Sequence, residues 1–277
     1  MKAVKEWKPV VRVFAGTVVI ALSATAFADN TFLENTPPGG PYKFESDSNW
    51  SSKSLSDTGN WFVNGTATVD DSSGSLTVDP EGEKSNFFLA KQGKAGILNM
   101  SGGELKILAN IFLQHNGGKG TLNLSGGTLF VEGNLDQGGK AIHVSGGVLN
   151  VGKVINSKVD EFKYTGGKIQ CAQFGISSGV FTFQVGPGTS AIEVKNGLFG
   201  NGVLNLEVAV GFVPPADQEI VLFTFTSPAD KMSWIDGSGK RWADGETIQA
   251  GGIKYTVVLT NKSFGVIPQG KPSGLVG

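Results

Sequence analysis

Residues 118–131 read GKGTLNLSGGTLFV. Apolar and polar residues alternate, two glycines interrupt, and the alternation resumes. Alternation at period two is the pattern of a half-buried β-strand. The glycines read as a corner, because glycine takes positive φ without a Cβ clash. The same phrase recurs as ILNMSGGELKI at 97–107, AIHVSGGVLNV at 141–151 and EFKYTGGKIQC at 161–171. Its glycine pairs are Gly102-Gly103, Gly126-Gly127, Gly146-Gly147 and Gly166-Gly167, at steps of 24, 20 and 20 residues. A period of this length marks a solenoid.

One unit cannot bury its own apolar side, but stacked units can. Strand then lies on strand about 4.8 Å away, and like residues form ladders. The inward positions before the corner are Leu98 and Met100, Leu122 and Leu124, Ile142 and Val144, Phe162 and Tyr164. After it come Leu105 and Ile107, Leu129 and Val131, Leu149 and Val151, Ile169 and Cys171. A third short run, at Ile111 to Leu113, Leu135, and Val154 and Ile155, closes each turn. The expectation is an all-β parallel β-helix, right-handed by the crossover preference. An antiparallel sandwich is the rival, but it does not require like residues at one phase of a 20-residue repeat.

The pattern fades outward. TVDDSSGSLTV (68–78) reads as a degenerate earlier unit, and 179–194 and 202–210 as later ones, for six or seven turns. Open ends need covers. The expected organisation is a leader at 1–28, an N-terminal cap at 29–66, repeats at 67–211, an antiparallel β region at 212–267 and a tail at 268–277. Within the fourth part, ETIQAGGIKYTVVL predicts a hairpin turning near Ala250-Gly251-Gly252, followed by SFGVI as another strand.

LQHNGGKGTLNLSGGTLFV resembles the repeat shared by bacterial autotransporter passenger domains and proteins with PEP-CTERM sorting tails. DGETIQAGGIKYTVVL is similar to a segment that often closes such proteins, and NWSSKSLSDTGNW to the Trp-rich opening of some of them. The resemblance spans about residues 45–265. It implies a secreted, surface-associated β-solenoid and names no activity. The sequence carries no β-barrel translocator and no sorting motif, so neither self-translocation nor anchoring carries over.

Lys2, Lys5, Lys8 and Arg12 precede the apolar run VFAGTVVIALSATAFA, which ends in Ala26-Phe27-Ala28. This is the pattern of a signal peptide cut after Ala28. The run is short for a transmembrane anchor, and no later stretch is long enough to span a bilayer. The expected location is the bacterial periplasm, cell surface or medium. Hydrophobic residues at 39% exclude disorder by composition, and the 41 glycines lack the three-residue period of collagen. Beyond the leader Arg241 is the one arginine and Cys171 the one cysteine. Nucleic-acid binding and an internal disulfide are therefore not expected.

No catalytic set assembles from the sequence. Glu104, Glu132, Asp136, Asp160 and Glu161 lie at unmatched phases, and the adjacent Asp160-Glu161 pair should face opposite sides of a strand. Two histidines and one cysteine do not make a His/Cys metal site. Cys171 reads as a small core residue, and Asp236-Gly-Ser-Gly-Lys240 as a turn rather than a phosphate or calcium loop. No cofactor or metal is expected. The candidate ligand face is the outward column Asn99, Asn123, His143 and Lys163, with Lys94, Lys119 and Lys140 near one edge. Trp50, Trp61, Trp234 and Trp242 fit either sugar stacking or end-covering. The favoured expectation is a non-enzymatic structural or adhesive solenoid whose partners are polysaccharide or other surface proteins. The alternatives are a polysaccharide lyase or hydrolase and a carbohydrate-binding module.

Overall fold

A computed structural model describes residues 60–269, apart from Asn64, 79–85, Gln137 and 228–230, together with four short strands further upstream. The expected leader lies outside the described residues, except for the antiparallel pair Val13–Phe14 and Thr17–Val18. The expected tail likewise lies outside them from residue 270.

The described chain is all-β, with no α-helix, and winds as a parallel solenoid of about 6 turns. Each turn has three faces. On the first, Leu98 pairs with Leu122, Leu122 with Ile142 and Ile142 with Phe162, all in parallel register. The column runs back to Ala67 and on to Phe181 and Leu204. The second face stacks Leu76, Leu105, Leu129, Leu149 and Ile169. The third stacks Trp61, Phe87, Ile111, Leu135, Ile155, Phe174 and Leu198. Apart from the half-buried Leu76, these residues are buried and form one core. Full burial of each Leu, Ile or Phe contributes roughly 1.5–3 kcal/mol.

The corner glycines serve two purposes. The second of each pair, Gly103, Gly127, Gly147 and Gly167, has φ of 66°, 72°, 68° and 84°. The first is there for coil-to-coil approach. A Cβ on Gly126 would lie 2.2 Å from the Ser101 carbonyl oxygen, and one on Gly146 2.2 Å from that of Ser125. Gly166 stands in the same relation to Ser145, at 2.7 Å, while a Cβ on Gly102 would meet the Asp71 carboxylate. The degenerate unit turns differently. Asp70 caps a 3-10 turn over Asp71–Ser73, accepting from the Ser72 amide at 2.9 Å, and Gly74 supplies the positive φ.

Parallel pairing passes both expected boundaries of the repeat region. Trp61–Val63 already pairs with Phe87–Phe88, and the upstream strands Asn30–Phe32 and Tyr42–Lys43 pair parallel with Trp61–Val63 and with Gly65–Val69. At the other end, Ile220–Phe225 runs parallel to Ile192–Val194, and Lys231–Met232 to Phe199–Gly200. The far edge of Ile220–Phe225 takes Ser263–Pro268 in antiparallel pairing. That strand pairs in turn with Ile253–Leu259, the second arm of the expected hairpin with Thr247–Ala250. Gly251 and Gly252 make its turn, at φ 54° and 75°. One strand thus converts a parallel stack into an antiparallel lid.

Candidate functional site

Outward side chains inherit the register of the core. On the first face Asn99, Asn123, His143 and Lys163 fall on successive rungs, as the repeat predicts, followed by Thr182 and Asn205. The polar atoms of the first three bond to one another. Asn123 Nδ2 donates to Asn99 Oδ1 at 2.8 Å, and His143 Nδ1 lies 3.0 Å from Asn123 Oδ1. His143 Nε2 lies 3.3 Å from Glu161 Oε2, and Lys163 pairs with Glu207 at 2.9 Å. The column is a zipped polar ladder.

A second ladder was not read from the sequence. Asn110 Nδ2 donates to Asn86 Oδ1 at 2.8 Å, and Asn110 Oδ1 accepts the Asn134 amide at 2.8 Å. Asn60 Oδ1 accepts the Asn86 amide at 3.0 Å, and Asn134 Oδ1 that of Val154 at 3.1 Å. These asparagines satisfy backbone donors where the chain enters the third face. The signal was present as Asn-Trp-Phe, Asn-Phe-Phe, Asn-Ile-Phe and Asn-Leu-Asp at 60, 86, 110 and 134. Beside it Phe62, Phe88 and Phe112 stack on the outer side of the third face, with centroids 4.9 and 5.3 Å apart. His115, whose carbonyl accepts the Gly118 amide at 3.0 Å in the turn that follows, packs against Phe88 at 4.6 Å.

The outward column of the second face is chemically mixed. Lys106, Phe130, Asn150, Gln170, Glu193 and Thr224 occupy successive rungs. Lys106 Nζ sits 5.3 Å from the centre of the Phe130 ring. Gln170 Nε2 donates to Glu193 Oε2 at 2.5 Å, and Lys168 pairs with Glu193 Oε1 at 3.0 Å. The hydrogen bond from Lys168, then that from Gln170, holds the Glu193 carboxyl below its ordinary range. The column ends in a groove of about 350 Å³ lined by Asn150, Gln170, Glu193, Lys195, Thr224 and Thr226.

No protein-family model, curated protein or solved structure matches the chain.

Geometry separates the remaining candidates. Trp61, Trp234 and Trp242 are fully or almost fully buried and cannot stack on a sugar. Trp61 is a rung of the third-face column, between Asn30 and Phe87, whereas the other two tie the closing end down: Trp234 Nε1 donates to the Phe199 carbonyl at 2.8 Å, and Trp242 Nε1 to that of Leu204 at 3.1 Å. Trp50 lies outside the described residues. Asp160 and Glu161 face different partners, Lys119 at 3.3 Å and His143. Cys171 is buried in the core, and burial pushes its thiol up to about 12. Asp236 closes its own turn, accepting the Ser238 amide at 2.8 Å and the Lys240 amide at 2.9 Å. Among the described residues no three His, Cys, Asp or Glu side chains gather to hold a metal. No described helix is long and apolar enough to cross a membrane.

Proposed function

We propose that the chain is a non-enzymatic β-solenoid delivered to the bacterial periplasm, surface or medium, where it acts as a structural or adhesive module. The observation that carries this reading is the first-face column, in which Asn99, Asn123 and His143 bond to one another and Lys163 pairs with Glu207. Its polar groups are used in holding coil to coil, as a rigid spacer needs. The repeat resemblance and the leader cut after Ala28 support export. Polysaccharide or other surface proteins are the proposed partners.

The test uses the mature chain purified from residue 29. It is incubated with a glycan panel and with isolated cell envelopes. Retention on envelopes without new reducing ends is the expected result. New reducing ends, abolished by a substitution among Glu132, Asp160 and Glu161, would replace this reading with a polysaccharide hydrolase or lyase.

A further inference from the structure

We propose that the outward column of the second face, from Phe130 to the groove at Lys195, is a binding track for an extended uronate-bearing glycan. This deepens the adhesive reading and rests on it. The track differs from the first face in what its side chains leave free. Phe130 is half-buried, so part of its ring faces solvent. The half-buried Lys106 places its ammonium 5.3 Å from the ring centre, a long cation–π contact weak enough for a sugar ring to displace. Asn150 is on the next rung and Gln170 on the one after. An amide offers an acceptor and two donors, a match for neighbouring hydroxyls. Gln170 spends one donor on Glu193, which fixes the amide and leaves its oxygen free to accept.

The groove itself comes from a change of register. Val151 pairs with Cys171, but the next pair is Val154 with Gln173, so the coil bulges at Gly152 and Lys153. The following coil loops out again between Val194 and Leu198. These loops widen the corner into a concavity beside the ladder. Its charges are unequal. Lys168 cancels Glu193 at 3.0 Å, whereas Lys195 is exposed and has no carboxylate partner among the described residues. The uncompensated ammonium selects a carboxylate-bearing sugar over a neutral one. Phe130 and the Glu193 rung are three steps apart, about 14 Å at the strand spacing. The occupant is therefore an extended chain rather than a single sugar.

The test is titration calorimetry of the mature chain with an oligogalacturonate and, separately, a cello-oligosaccharide. Wild type should bind the first, more weakly as salt rises, and the second poorly. Lys195→Gln should weaken binding roughly tenfold, the loss of one charge-assisted hydrogen bond. Phe130→Ala should weaken it several-fold. Lys158→Gln, an equal charge change on another corner, should leave it unchanged. Unfolding curves identify any variant that fails to fold, and both track side chains reach the surface, so folding should persist. No binding, wild-type affinity in both track variants, or equal affinity for the neutral oligosaccharide would each overturn the track. Absence of binding would still leave adhesion through other faces standing. Binding accompanied by new reducing ends would keep the track and defeat the non-enzymatic reading.

Discussion

At the residue scale, the corners show why a glycine pair is repeated rather than a single glycine. Gly127 has φ 72°, and a Cβ there would lie 2.3 Å from the Gly102 carbonyl oxygen. Gly127→Ala should cost about 3 kcal/mol, combining left-handed strain with overpacking. Gly117 has φ 82° and open space around it, so Gly117→Ala should cost only about 1–2 kcal/mol. Urea midpoints at unchanged slope would measure both, and equal losses would remove the coil-contact argument. Ionisation gives a second residue-scale prediction. Burial raises Cys171 from 9.0 to about 12 and Tyr255 from 10.0 to about 12. In both cases the unfolded chain loses its proton first. The stabilisation is complete below about pH 9 and disappears as pH rises through about 12. Urea midpoints should therefore fall between about pH 8 and pH 11. They should fall less in Cys171→Val, whose side chain matches the column neighbours Val131, Val151 and Val194. An identical fall in that variant would show that the thiol contributes nothing.

At the scale of elements, the ladders differ in what they hold. Asn123 and Asn110 are equally half-buried, but Asn123 bonds side chains, whereas Asn110 receives the backbone amide of Asn134 and donates to Asn86. Asn110→Ala leaves that amide without its acceptor and should cost about 1–3 kcal/mol, against about 0.5–1.5 kcal/mol for Asn123→Ala. Urea denaturation of the two variants compares them, and a larger loss at Asn123 would reverse the assignment. The contrast also explains what could be read in advance. Leu98, Leu122, Ile142 and Phe162 were legible because one phase of a repeat must carry one kind of residue when coils stack in register. The hairpin at Gly251-Gly252 was legible from its turn chemistry. The asparagines of the third face belong to a run only two residues long in the turns at Ile111 and Leu135, too short for a period to declare itself. The two roles of Ile220–Phe225 were hidden for another reason: nothing local distinguishes a strand with one parallel and one antiparallel neighbour. The Phe130 track was hidden because it joins single residues from separate coils with no shared residue type.

At the scale of the whole molecule, the solenoid changes character along its axis. Its middle is aliphatic, while the later coils fill with aromatic rings. Phe174 and Phe264 both pack on Phe223, at 5.3 and 5.8 Å. These rings join the coils to the lid, so the closed end is specific and the middle is modular. In a stack where each coil contacts its neighbours, stability is close to a sum of coils and interfaces. Removing residues 141–160 tests this directly. Ala141 and Glu161 are register partners, as are Ile142 and Phe162, so Glu161–Tyr164 can take the place of Ala141–Val144 on Thr121–Leu124. On the second face Lys168 would follow Thr128, and on the third Phe174 would follow Leu135 with the same one-residue offset it now shows to Ile155. The shortened chain should keep its β-sheet circular dichroism and a single cooperative transition, at a lower midpoint. Removing only 141–150 breaks the period and sends first-face residues toward the second face, so that chain should aggregate or fail to unfold cooperatively. Survival of the half-coil deletion with loss of the full-coil one would mean that something other than stacking register holds the molecule together.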